Sequence, residues 1–404
     1  MIYNRLKYGV LIICICVANI ANSQSESIQI TEGADLYRAV STAVPFLTIT
    51  PDSRAGAMGD VGAATTADLY SLHWNPAKLA FVNSKRAGSM AYIPWLSKLV
   101  PDISLAYLTL FNRVNDNSAV SGALRYFSLG EITFTDSQGE YIKTYSPNEF
   151  SVDFGYGMKF SSNFSGGVAM RYIYSDMTGG QNVGEIETQP GQAFAFDIGT
   201  YYESDFTDNN QWAVGMNISN IGTKISYTKD EYGDFLPMNL KVGGRYSMKI
   251  DEYNQFSIAM DINKLLVPTP PITDGQNNIT LGQDDDVSVV SGIFQSFGDA
   301  PGGIQEEWRE LMYSFGMEYW YNNQFALRGG YFHEHLTKGN RKYVTTGIGL
   351  KMTALTIDFA YLITANQTSV SPLEGTMRFT LTFDIAGLAS AIFNTDQEVQ
   401  GSVF

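Results

Sequence analysis

Cysteine is almost absent from this 404-residue chain, and both copies, Cys14 and Cys16, lie near its start. Each follows an isoleucine rather than the small residue of a lipoprotein cleavage site. If the first 23 residues are a cleaved leader, the remainder has no thiol. Disulfides, thiolate catalysis and cysteine metal sites are then excluded, and stability rests on burial and backbone hydrogen bonds. Histidine is scarce too. His333 and His335 share a strand face at i and i+2, but no third ligand follows at a fixed spacing, so they read as a solvated rim pair; His73 stands beside Trp74 and Asn75. The Asp284–Asp286 run lacks the glycine and closing glutamate of a calcium loop and reads as a solvated loop. With no nucleophile elbow, phosphate-cradling loop or dinucleotide fingerprint, the sequence points to no enzyme, no cofactor and no metal.

Basic residues are also few, 26 against 41 acidic, for a net charge of −15 that becomes −17 without Arg5 and Lys7. That balance argues against a nucleic-acid partner. Long hydrophobic runs are missing as well. The run from Tyr8 to Ala18 follows Arg5 and Lys7 and precedes Ala21-Asn22-Ser23; it is shorter than the ~20 residues of a spanning helix and reads as a signal peptide over 1–23. Yet the chain is 44% hydrophobic and 13% aromatic, too apolar for a disordered acidic protein.

What is present is a period of two. Met377, Phe379, Leu381, Phe383 and Ile385 alternate with Arg378, Thr380, Thr382 and Asp384, and similar alternation runs through 342–352 and 355–365. About fourteen such segments are expected, near 87–96, 102–111, 118–134, 148–160, 164–177, 192–203, 210–221, 238–250, 254–264, 310–321, 324–335, 341–352, 355–365 and 374–385. Short links such as Asn322–Asn323 alternate with mostly longer ones, the asymmetry of an outer-membrane barrel, with both ends of the barrel on the short-turn, periplasmic side. One face of the segments carries Asp153, Lys159, Arg171, Asp197, Arg245, Asp261, Glu318, Arg328, Lys351, Asp358, Arg378 and Asp384. So many charges would be too costly to desolvate between packed sheets, so the apolar face is expected to meet lipid. An arginine at Leu381 should therefore destabilise the barrel, whereas one at Thr380 should be tolerated if there is room. Tyr319-Trp320-Tyr321, Tyr201-Tyr202 and Trp212 fall where strands meet turns and are candidates for an interfacial girdle.

Between Ser25 and Thr50 lies a polar leader in which Leu36, Val40 and Val44 have helical spacing before Pro45. The segment 52–68 is rich in glycine and alanine, which permits close backbone approach. The longest connection, 265–309, leaves its strand through Leu265-Leu-Val-Pro-Thr-Pro-Pro271, stiffened by proline. It continues with Val290, Ile293, Phe294 and Phe297 at helical spacing, then Ile304, Trp308 and Leu311 after a glycine-rich break. A fold over the barrel mouth and a docking surface are both open readings.

The segments Pro51–Asp60, Trp74-Asn-Pro-Ala-Lys-Leu-Ala80, Leu265–Pro271 and Ile293–Gly303 resemble the PorV family of type IX secretion outer-membrane proteins. The resemblance implies an all-β, FadL-like transmembrane antiparallel barrel of about fourteen strands. An N-terminal hatch in the lumen would include Arg54, Gly56, Met58, Gly59, Asp60, Trp74, Asn75 and Pro76. It places a periplasmic leader at 24–50, the hatch at 51–85, the barrel at 86–385 and a tail at 386–404. It also implies a non-enzymatic partner of an SprA-type translocon, receiving secreted proteins with C-terminal signal domains and passing them to a PorU-type attachment complex, in contact with outer-membrane lipid. In the extracellular loop, Val267, Pro268, Pro270, Pro271, Val290, Ile293, Phe294, Phe297 and Trp308 are the expected partner-binding residues. A channel for small hydrophobic molecules like FadL is the second reading; the proline-bearing loop favours the first.

Overall fold

The computed structural model describes residues 38–385 apart from 99, 101, 136–137, 181–186, 229–232 and 366–370. The expected signal peptide over 1–23, residues 24–37 and the expected tail over 386–404 lie outside the described residues. Fourteen strands form one closed antiparallel barrel. They are β1 Arg86–Pro94, β2 Ser104–Asn115, β3 Ser118–Ser128, β4 Asn148–Lys159, β5 Phe164–Asp176, β6 Gly191–Glu203 and β7 Asn210–Gly222. The second half comprises β8 Asn239–Lys249, β9 Asn254–Leu265, β10 Met312–Tyr321, β11 Phe325–His333, β12 Lys342–Lys351, β13 Leu355–Thr364 and β14 Met377–Asp384. Each strand pairs with its sequence neighbour, and β1 closes on β14 in a register running from Ala87 opposite Asp384 to Tyr92 opposite Phe379. Closure leaves no barrel edge with unpaired backbone groups, the condition for crossing a bilayer as strands.

Turn chemistry sets the short end. In the three-residue link between β10 and β11, Asn322 and Asn323 take φ of 53° and 52°, the left-handed central pair of a turn closed by the Gln324 N–H to Tyr321 O at 3.0 Å. One expected strand differs. β3 stops at Ser128, and Ile132–Thr135 pairs with Tyr141–Tyr145 as a separate hairpin in the loop. Gly130, at φ 80°, breaks the run.

The two faces meet different solvents. Along β6, Phe194 and Phe196 are 54% and 53% exposed on the outside, while Ala193, Ala195 and Asp197 are buried inside. Such a ring of aromatic and aliphatic side chains is unfavourable in water and favourable in lipid. Inside, charges are paired across strands. Arg171 on β5 meets Asp153 at 2.7 Å and Asp197 at 3.2 Å, and Arg328 on β11 meets Glu318 at 2.9 Å and Asp358 at 2.6 Å. Of the girdle candidates, only alternate residues face outward. Tyr202 packs on Trp212 with ring centres 4.8 Å apart and planes tilted by 31°, but Tyr201 is buried against Glu203 and Trp320 lies under Arg328, because neighbours on a strand face opposite ways.

The stretch read as a leader through Thr50 also differs. Its described part has no helix before Pro45, where a 3-10 turn, Pro45–Thr48, begins. Phe46 and Leu47 are buried, Phe46 lies over Phe127 near the long-loop end of β3, and Arg125 donates to the carbonyls of Phe46 and Leu47 at 3.2 and 2.6 Å. These apolar residues find cover inside the barrel at the long-loop end, so residues 43–50 belong with the lumenal segment and not with a periplasmic leader.

Candidate functional site

Residues 43–82 fill the barrel, and local capping explains their shape. The Asp52 carboxylate accepts from Ala55 N at 2.8 Å, starting a helical turn over Ser53–Gly56, and from Trp74 Nε1 at 2.8 Å, tying the segment's two ends together. Asn75 accepts from Ala77 N at 3.1 Å and donates to Ala63 O at 3.1 Å and to Thr200 O on the wall at 2.9 Å. Lys78 Nζ, fully buried, donates to Gly62 O at 2.7 Å and Thr65 Oγ1 at 2.8 Å.

Contact with the wall explains the small residues. Gly59 has φ +66°, and a Cβ there would sit 2.5 Å from Tyr331 O and 2.7 Å from Phe315 O. Its N–H donates to Thr345 Oγ1 at 2.9 Å. The wall reciprocates, since a Cβ on Gly330 would sit 2.1 Å from the Met58 backbone and one on Gly167 2.3 Å from the Pro76–Ala77 peptide. Gly56 lies against Arg378, Asp60 lies 3.8 Å from Arg378 Nη2 and bonds Tyr343, and Arg54 binds Glu318 at 2.8 Å and Asp68 at 2.9 Å. All eight residues expected in a hatch therefore belong to one wedged segment. The room expected beside Thr380 is taken by it: Thr380 Oγ1 accepts from Ser53 N and donates to Ser53 Oγ, both at 2.9 Å.

The connection 266–311 is built from two opposed faces. Leu266, Val267 and Pro268 are buried, Leu266 and Val267 with Phe235 and Met238, while Pro270 and Pro271 are half-buried; these residues form the loop's base. Helices follow at Val289–Gln295, capped by Ser288 Oγ, and at Ile304–Arg309. In the first, Gly292 approaches Phe235 and Ile293 is half-buried, leaving Val290 and Phe294 outward. In the second, Ile304 and Trp308 at i and i+4 point out while the glutamates point in.

Those glutamates pin the loop. Lys264 Nζ meets Glu307 at 3.0 Å and Glu310 at 2.6 Å; Lys338 Nζ meets Glu306 at 2.7 Å and Glu310 at 2.9 Å; Arg38 meets Glu306 at 2.8 Å. Thr269 donates its hydroxyl to Glu310 at 2.6 Å and its N–H to Asp299 at 3.0 Å. Burial tends to raise the carboxyls of Glu306 and Glu310, but hydrogen bonds and charge from these ammoniums outweigh it and hold both below the usual range. Asp299 is pushed up to about 6, chiefly by burial, against the Thr269 N–H that lowers it and with Glu307 and Glu310 adding to the rise. The second helix thus has a polar underside on the rim and the first an apolar one on Phe235, and together they turn outward an apolar surface of Val290, Phe294, Phe297, Ile304 and Trp308, with Phe294 at 75% and Trp308 at 64% exposed.

Of the nine loop residues expected to bind a partner, four therefore lie open, Val290, Phe294, Phe297 and Trp308. Val267 and Pro268 are inaccessible, and Ile293, Pro270 and Pro271 are partly covered. Sequence reading put Ile304 on the second helix without counting it among the partner-binding residues, and it passed over the anchors Glu306, Glu307 and Glu310, although their spacing opposite Ile304 and Trp308 marks a second face. Lys264, Lys338 and Arg38 carry no local signal for that role. Of the histidines, His73 accepts from Arg125 at 2.7 Å and His335 caps the turn at Leu336–Lys338.

A closed antiparallel barrel of fourteen strands, apolar outside and charged inside, with a wedged lumenal segment, defines an outer-membrane β-barrel. The profile described as type IX secretion system protein PorV matches residues 32–272, and the chain belongs to that family, an outer-membrane component of type IX secretion. Among solved structures, the Pseudomonas putida toluene transporter TodX aligns at TM-score 0.50 and 12% identity, over 86% of this chain and 99% of that one. The Ralstonia pickettii toluene transporter TbuX aligns at TM-score 0.44 and 12% identity, over 83% and 96%. A Pseudomonas aeruginosa FadL homologue aligns at 0.43 and 11%, over 86% and 99%. No curated protein matches the chain.

Proposed function

We propose that this protein binds an SprA-type translocon through its long loop, receives exported proteins carrying C-terminal signal domains, and passes them to a PorU-type attachment complex without catalysing a reaction itself. The observation that carries the reading is the outward apolar surface of Val290, Phe294, Phe297, Ile304 and Trp308 on two helices, the second fixed from beneath by five ion pairs and the first packed on Phe235. A rigid presentation lowers the ordering cost of association, and burying each such side chain against a partner contributes ~1.5–3 kcal/mol before that cost is subtracted. A lumen wedged by residues 43–82 and lined with ion pairs supports this reading over a conduit for hydrophobic molecules.

The test is copurification from detergent extracts. Phe294→Ser with Trp308→Ser should leave the barrel heat-modifiable while removing the translocon from the eluate and halting export of surface proteins. Unchanged copurification and secretion would place the docking surface elsewhere on the rim.

A further inference from the structure

The outward face of β10, β11 and β12 changes character in its last row before the outer loops. Phe315, Tyr331 and Val344 stand in register at the edge of the apolar belt, Phe315 and Val344 at 40% and 36% exposed. One row further out the same strands carry Tyr313, His333 and Lys342, again in register. These three face away from the lumen, because their chain neighbours Met312, Ser314, Phe332, Glu334 and Tyr343 are buried within it. Partners in register hold their Cβ atoms ~5 Å apart, so the three side chains can converge on one group.

Their chemistry is that of donors. The Tyr331 hydroxyl lies 3.4 Å from His333 Nδ1; by donating there it leaves the ring proton on Nε2, at the far side of the imidazole. Among the described residues no carboxylate reaches ion-pair distance of Lys342, and the acid next to His333, Glu334, points into the lumen, where Arg341 holds it at 2.8 Å. The row thus offers one cation and two neutral donors with no anion of its own. The wall on the other side of the barrel does not repeat it, since the last outward row of β4 and β5 is Asn148 in register with Asp176, an amide and an acid. A cation is costly in hydrocarbon, but one row beyond the apolar belt it reaches the level of the lipid headgroups, where the fixed anions are phosphates.

We infer that Tyr313, His333 and Lys342 form a binding site for the phosphate of an outer-leaflet lipid, held against the outside of the wall where the outer loop returns to β10. The site stands independently of how that loop is used.

Native mass spectrometry of the full-length barrel released from detergent counts retained lipid, with monophosphoryl lipid A, the same lipid dephosphorylated, and inorganic phosphate as a competitor. One copy of the phosphorylated lipid should be retained about tenfold or more tightly than its dephosphorylated form, the worth of one charge-assisted hydrogen bond. Lys342→Gln with His333→Gln should reduce that preference to less than about twofold. Lys143→Gln removes a cation from the hairpin on another part of the same rim and should leave the preference intact. Equal retention of the two lipids by the unaltered protein would overturn the assignment. So would a loss with Lys143→Gln as large as with the double variant, which would make the attraction diffuse, or displacement of the lipid by millimolar inorganic phosphate, which would make free phosphate the ligand. The comparison of the two lipids needs no variant, so a substitution that fails to fold leaves the question decidable.

Discussion

Glu310→Gln should release the outer loop without loosening the barrel. The carboxylate accepts from Lys264, Lys338 and Thr269 at 2.6, 2.9 and 2.6 Å, and its side chain is 6% exposed. Removing one partner from a buried ion pair costs ~3–5 kcal/mol when the other is left alone. Here neither ammonium is left alone, since Lys264 keeps Glu307 at 3.0 Å and Lys338 keeps Glu306 at 2.7 Å. The isosteric amide also still accepts from Thr269. Those remaining partners bring the cost to about 2 kcal/mol, or roughly thirtyfold in the equilibrium between docked and open loop.

Hydrogen exchange in detergent reads that equilibrium directly, because the loop opens as a unit distinct from the strands. Amides in 289–310 should lose roughly thirtyfold in protection while those of β6 and β13 stay unchanged. Asp285→Asn, in the same loop and exposed, is the matched control and should change protection by less than about twofold. If Glu310→Gln leaves loop protection intact, the ion pairs do not hold the loop. If the strands lose protection with it, the loop is part of the barrel's own stability, and the separation of underside from wall is wrong.

Three further outcomes follow from the same geometry. Leu381→Arg should destabilise the barrel by ~2–4 kcal/mol near the bilayer midplane, and Thr380→Arg should also impair folding because Ser53 occupies the space; urea unfolding in liposomes measures both. Planar bilayers should show little current through the intact protein and a stable pore after deletion of 52–80, and large stable currents before deletion would refute the wedge. Loop protection should also depend on pH in two opposed ways. It should rise as pH climbs through ~4.5, above which Glu306 and Glu310 are charged in the open loop as well as the docked one, because their docked carboxyls ionise lower. It should then weaken as pH rises through about 6, where docked Asp299 gives up the proton that its buried site favours, and level off above that; a monotonic rise from pH 4 to 8 would contradict the Asp299 environment.

The barrel was legible because its two faces are written at a period that one residue's slip would reverse, so each strand repeats the same evidence. Arg378 and Thr380 are buried while Met377, Phe379 and Phe383 are exposed, as their alternation requires. What alternation cannot state is what stands on the far side of the inner face. Thr380 was correctly placed toward the lumen, yet the space beyond it belongs to Ser53, more than three hundred residues away in sequence. Phe46 and Leu47 were hidden for the same reason: a short apolar pair in a polar stretch has no period, and only Arg125 and Phe127 across the lumen explain it.

The outer loop shows how far a local pattern reaches when both faces of a helix carry meaning. Apolar spacing located its two helices, and by itself that spacing is neutral between burying those residues over the mouth and presenting them outward. Glu306, Glu307 and Glu310 break the tie, because three carboxylates on the face opposite Ile304 and Trp308 need cations, and the rim supplies Lys264, Lys338 and Arg38. Desolvating three carboxylates without those cations would cost more than the apolar face returns by turning inward, so the charged side takes the rim and the apolar side is turned out. The direction in which Trp308 faces is thus set by electrostatics beneath its helix, while Phe294 is turned out by the packing of Gly292 and Ile293 on Phe235, and a second helix that lost its cations would be free to turn over.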